Sequence, residues 1–155
     1  MRYYTHITTS LSTIILVGDV LPVTIPLDSA IALSGLVIGS VLPDIDESRS
    51  WIGRRIPVIS TVINGVFGHR GLTHSGLILL LLVAGLFHFP HAFLQAMFTG
   101  AILHIVADFF SVGGVPLFYP FSKKRSQVGL YKTGTWSEGL LFLIGLAVIV
   151  SALLM

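Results

Sequence analysis

The sequence keeps its formal charges out of three long stretches. Residues 29–43, 71–107 and 139–155 contain no Asp, Glu, Lys or Arg, and histidines are the only ionisable side chains within them. Across the chain 10% of residues are charged and 54% hydrophobic, whereas a soluble domain carries about 25% charged residues. Too few polar side chains remain to cover a globule of 155 residues, so much of the surface must face something other than water. The expectation is an all-α, integral membrane helical bundle forming one domain over residues 1–155.

Gly and Pro divide the apolar sequence into about five hydrophobic helices. The first, roughly Tyr4 to Pro22, is interrupted by Thr8, Thr9, Ser10, Ser12 and Thr13, which disfavours the alternative of a signal peptide with Arg2 as its basic end. His88-Phe89-Pro90-His91 reads as a turn between two helices, because proline lacks a backbone donor and biases the residue before it away from helix. Between Asp46 and His69, Ile52, Ile56, Ile59, Ile63 and Val66 recur every three or four residues. That spacing predicts a short amphipathic helix lying in the membrane interface. Gly35 and Gly39 form a small-xxx-small pair suited to close helix packing.

No cysteine is present, which excludes disulfides, thiolate metal ligands and a cysteine nucleophile. Nine Lys and Arg against seven Asp and Glu give a net charge of +2, too weak an excess to argue for nucleic acid. The basic groups read instead as membrane-surface anchors. If Lys- and Arg-rich connections stay cytoplasmic, the N-terminus and the connections 44–75 and 111–137 share the cytoplasmic face. His6, Asp44, Asp46, His69, His74, Asp108 and Glu138 then fall at that face, with His104 one turn inside it. Eight of the thirteen His, Asp and Glu residues thus gather from four segments. Membrane proteins place polar groups at helix ends in any case, so part of this clustering is automatic.

His104 and Asp108 are four residues apart, about 40° around a helix, so both can reach one ion; the same spacing would also let a carboxylate orient a core histidine. Asp44 and Asp46 follow an apolar run and, in an extended segment, point the same way. A cation beside them would relieve their repulsion, although a hydrated loop would do so too. In Gly68-His69-Arg70-Gly71-Leu72-Thr73-His74-Ser75, a glycine turn feeds a helix capped by Thr73 or Ser75. The positive end of that helix would keep His74 neutral and, with Arg70, suit a phosphate. Glu138 either complements the dipole of the last helix or acts as a ligand or base.

Taken together, His6, PDID at 43–46, GHRGLTHS at 68–75, HIVADFFS at 104–111, GVPLFYP at 114–120 and Glu138 resemble the YdjM-like family of predicted membrane-bound metal-dependent hydrolases. The order Asp, His, HxxxD, Glu is more loosely similar to zinc-dependent phospholipase C enzymes. This likeness implies hydrolysis of a phosphoester or phospholipid-type substrate, with membrane lipid as the expected partner. Fewer histidines follow HxxxD than a three-zinc site would need. The expected cofactor is one or two divalent ions, zinc foremost with manganese or iron as alternatives, held by His6, Asp44, Asp46, His69, His74, His104 and Asp108. Arg70 would offset phosphate charge, and Glu138 or Asp46 would handle protons. The alternative is a divalent-metal transporter, or a metal-binding membrane protein without hydrolytic activity, because HxxxD within a membrane helix also resembles the sites of zinc-exporting transporters. A homo-oligomer is compatible with either reading.

Overall fold

The computed structural model describes residues 1–68 and 70–155. Its regular structure is all helical: α1 (Tyr3–Val17), α2 (Ala30–Gly39), α3 (Pro57–Phe67), α4 (Gly76–His88), α5 (Ala92–Phe110) and α6 (Trp136–Leu154), with short 3₁₀ turns at Gly18–Val20, Leu42–Asp46 and Leu72–His74. Among the described residues there is no strand, only two isolated bridges, Ser111 with Tyr131 and Val115 with Ser126. These tie down the long connection between α5 and α6.

The helix ends follow local chemistry. Ser29 caps α2 by accepting from Ala32 N, and Ser75 caps α4 by accepting from Ile78 N. The expected amphipathic helix is shorter than its sequence pattern, because Pro57 fixes the first turn of α3 and residues 51–55 form a turn instead. Along α3, Val58, Ile59, Val62 and Val66 point outward while Ser60 is buried. Pro90 lies in the turn between α4 and α5. In α1 the hydroxyls of Thr8, Thr9, Ser12 and Thr13 donate to carbonyls three or four residues earlier, at 2.7–3.1 Å. These polar groups are satisfied within their own helix.

Of the five hydrophobic helices expected, two, α5 and α6, are long and apolar enough to cross a membrane; α2 and α4 are shorter. Short 3₁₀ turns at Gly18–Val20, Leu42–Asp46 and Leu72–His74 adjoin the ends of these helices and carry Asp19, Asp44, Asp46 and His74.

The α2 and α5 backbones pack in direct contact. A Cβ on Gly35 would lie 2.3 Å from the Phe93 carbonyl oxygen, one on Gly39 2.0 Å from that of Met97, and one on Gly100 2.4 Å from that of Leu36. Only glycine permits this approach. The contact brings the C-terminal end of α2 against the middle of α5, where the candidate ligands lie. α4 packs on α5, and α6 packs on α1. An apolar cluster of Ile14, Ile25, Ala32, Leu36 and Ala96 fills the end away from those ligands.

Candidate metal centre

Asp44, from the 3₁₀ turn after α2, His74, from the turn before α4, and His104 and Asp108, from α5, offer donor atoms that all lie within 4.8 Å of one another. His74 Nε2 is 3.2 Å from His104 Nε2, 3.6 Å from Asp108 Oδ2 and 3.9 Å from Asp44 Oδ1. His104 Nε2 is 3.6 Å from Asp44 Oδ1 and 4.0 Å from Asp108 Oδ2. Donors bound 2.0–2.2 Å from a tetrahedral ion sit roughly 3.3–3.6 Å apart, so the four atoms are close to the corners such an ion requires. The His104 and Asp108 side chains are fully buried, and Asp44 is 14% exposed, which makes it the ligand nearest solvent.

The hydrogen bonds behind the histidines set their tautomers. His104 Nδ1 lies 2.7 Å from the Ser40 carbonyl oxygen. A carbonyl cannot donate, so Nδ1 carries the hydrogen and a neutral ring presents the Nε2 lone pair inward. His74 Nδ1 lies 3.2 Å from Asp46 Oδ2 and 3.0 Å from Thr73 Oγ1. With Asp46 as acceptor, His74 also presents its Nε2 lone pair. Two Nε2 acceptors 3.2 Å apart, flanked by two carboxylates, repel one another unless a cation lies among them. The donor set of two imidazoles and two carboxylates fits zinc, manganese or iron.

Each sequence candidate among the described residues has a definite place. Asp46 is not directed to the cluster, because Leu42–Asp46 is a 3₁₀ turn rather than the extended segment expected, and residues two apart then point in different directions. Its Oδ2 accepts from Arg70 N at 2.9 Å and from Thr73 Oγ1, and it orients His74 from behind. Thr73 therefore serves Asp46 rather than capping α4. His6 stacks on His104 with ring centroids 3.5 Å apart. Arg70 pairs with Asp108 Oδ2 through Nη2 at 2.5 Å and donates from Nη1 to the Gly114 carbonyl at 3.1 Å. Its φ is +54°, in the left-handed region. The Met1 ammonium lies 3.1 Å from Asp108 Oδ1. Glu138 is buried but is not brought into the cluster; its carboxylate accepts from Arg2 N at 2.5 Å and Gly134 N at 2.6 Å. His69 lies outside the described residues. His88 and His91 lie at the far end of α5, about 20 Å along the helix from His104.

Burial is the largest influence lowering the His74 pKa, with the bond to Asp46 opposing it. Burial alone would raise the Asp44 pKa, but without a metal the attraction of His104, and then of His74, in their protonated forms outweighs it and holds the carboxyl at about 2.

The cluster opens on a cavity of about 380 Å³ whose lining includes Asp44, Arg2, Arg49, Arg54, Arg70 and Trp51. Tyr3, also in its wall, stacks on Trp51 at 5.5 Å. From the sequence the basic residues at 49 and 54 read as anchors and Arg2 as a topology signal, because nothing in their spacing places them over the candidate ligands. The Ser40 carbonyl was not legible in the sequence, since a backbone acceptor has no side-chain signature.

The fold and site define a helical protein with a candidate buried metal centre under an arginine-lined opening. Residues 1–155 match the family model described as YdjM inner membrane protein, and the chain belongs to that family. Uncharacterized protein YvsG of Bacillus subtilis (strain 168) is 39% identical over 112 residues, covering 70% of this chain and 69% of YvsG. The inner membrane protein YdjM of Escherichia coli (strain K12) is 40% identical over 91 residues, covering 54% of this chain but 46% of that protein. YdjM of Shigella flexneri matches over the same extent. No solved structure matches.

Proposed function

We propose that this chain is a multi-pass membrane hydrolase that uses a divalent ion to cleave phosphoester bonds, with a lipid headgroup as the substrate class, at the cytoplasmic face. The observation that carries this reading is the four-donor cluster lying directly beneath the arginine-lined cavity. Arginine pairs with phosphate through a planar, always charged fork, so Arg2, Arg49 and Arg54 favour an anionic substrate over the centre. Tyr3 and Trp51 give the same opening an aromatic wall suited to the membrane interface.

Asp44, His74, His104 and Asp108 would hold the ion. When bound, it would supply a lowered pKa for a water and positive charge against a phosphoryl oxygen. Asp46 and the Ser40 carbonyl fix the two imidazoles so that Nε2 faces inward. Arg70, tied to Asp108, stands at the cavity floor, where its charge offsets that of a phosphate. Glu138 positions Arg2 through the Arg2 backbone N–H. In the overall reaction water adds across the P–O bond, giving a free alcohol and a phosphate monoester or inorganic phosphate.

Several features support membrane embedding. α5 and α6 have spanning length, and only 11% of the most apolar stretch of α6 is buried against the rest of the chain. Leu80, Leu81, Leu143, Ile144 and Leu153 project outward. All nine Lys and Arg residues fall in the N-terminus and in the connections that carry the site; none falls in residues 18–29 or 89–91 at the other helix ends. This asymmetry is what a cytoplasmic site requires.

The test is turnover by purified protein in detergent against phospholipids and soluble phosphoesters. Activity that disappears with chelator and returns with divalent metal supports the reading. Absence of turnover across the panel, with metal flux in proteoliposomes, replaces it with transport.

A further inference from the structure

His6 is fully buried on α1, and among the described residues neither of its ring nitrogens has a hydrogen-bond partner. An unsatisfied buried polar group destabilises the fold, so a phenyl or aliphatic side chain would fill this position at lower cost if packing were its only role. The ring stacks flat on His104, with planes 5° apart. Beyond the stack its Nε2 faces the carboxylate of Asp108. His6 Nε2 lies 3.7 Å from Asp108 Oδ1, too far for a hydrogen bond. Two donors each 2.0–2.2 Å from a shared ion lie roughly 3.3–3.6 Å apart in tetrahedral geometry and up to about 4.2 Å when opened further.

The two oxygens of Asp108 face different partners. Oδ2 faces His74, His104 and Arg70, whereas Oδ1 faces His6 and the Met1 ammonium. One carboxylate thus borders two positions for cations, and on the Oδ1 side an imidazole has no other use for its lone pair.

The geometry points to a second divalent-cation site between His6 Nε2 and Asp108 Oδ1, with Asp108 bridging it to the ion held by Asp44, His74 and His104. This inference rests on the metal centre proposed above and deepens it: the centre is dinuclear. A divalent ion at Oδ1 displaces the Met1 ammonium, exchanging one cation for another. Only two protein donors serve the second position, so water or phosphoryl oxygens complete it. The second ion therefore binds more weakly than the first. Two ions about 3.5–4 Å apart can stabilise both the attacking and the leaving oxygen of a phosphoryl displacement, which one ion cannot do alone.

Titration of metal-free, full-length protein in detergent with Mn²⁺, followed by metal counting and electron paramagnetic resonance, tests the site without reference to activity. Wild type should take up two equivalents, the second more weakly, and show an exchange-coupled pair. His6→Ala should take up one equivalent and show only isolated Mn²⁺. His6→Phe keeps a flat ring against His104 but has no nitrogen donor, so it should behave as His6→Ala does and decides the matter if the alanine variant fails to fold. A single equivalent in wild type, or two in a folded His6 variant, overturns the second site and leaves the first standing. No bound Mn²⁺ in wild type overturns the second site together with the centre it rests on.

Discussion

Replacing Asp46 by Asn keeps its size but removes the charge that His74 Nδ1–H faces. Metal affinity measured by calorimetry should fall about 10–100-fold without being abolished, as expected for a group that orients a ligand. Arg70 separates two contributions in one position. Its left-handed backbone costs about 1–2 kcal/mol for a side chain with a Cβ, so Arg70→Gly should unfold at a higher temperature than Arg70→Ala, by about 1 kcal/mol of stability, while both lose affinity for a phosphoester. Glu138→Gln should raise KM more than it lowers kcat if the carboxylate acts by holding Arg2; the opposite split would indicate that it moves a proton in the transition state. Of the seven ligand candidates the sequence offers, the structure brings Asp44, His74, His104 and Asp108 within reach of one another, because helix ends and i,i+4 spacing survive translation into three dimensions. The sequence could not separate Asp44 from Asp46. Which of two carboxylates faces the ligands and which stands behind His74 depends on whether residues 42–46 are extended or 3₁₀, and nothing in PDID decides that.

At the scale of helices, the centre depends on how closely α2 approaches α5. A Cβ at Gly39 would fall 2.0 Å from the Met97 carbonyl oxygen, so Gly39→Ala must push the helices apart. Overpacking of this kind costs about 1–3 kcal/mol, and it also withdraws the Ser40 carbonyl from His104. Gly39→Ala should therefore lower both the melting temperature and the metal content. Gly65→Ala on α3 meets nothing within 4 Å and should leave metal content unchanged. The glycine pair was legible as a packing signal, but its consequence was not, since the acceptor it delivers is backbone. Helix length was also poorly legible. An apolar run does not reveal where a 3₁₀ turn replaces the last turns of a helix, as between Gly39 and Asp46, nor that Pro57 delays the start of α3.

For the whole molecule, the proposed multi-pass topology predicts the site-bearing connections on one side of the membrane and the 89–91 turn on the other. No native cysteine is present, so single cysteines at Ser48, Pro90 and Ser126 can be read with an impermeant thiol reagent on intact cells. Labelling at position 90 alone is expected; labelling that separates 48 from 126 would contradict a shared face. Helix order explains how residues from separate segments, Asp44, His74, His104 and Asp108, come together. Side-chain rotation could not be read from it, which is why Glu138 sits at the site's end of the molecule yet turns its carboxylate to Arg2 and Gly134.

The central claim is that Asp44, His74, His104 and Asp108 hold an ion, and the most direct measurement is the metal content of purified wild type beside His104→Ala, Asp108→Ala, His88→Ala and His91→Ala. The account predicts stoichiometric divalent metal in wild type and in the His88 and His91 variants, and its loss from folded His104 and Asp108 variants. Equal metal in all five proteins, or none in wild type after reconstitution, would contradict it.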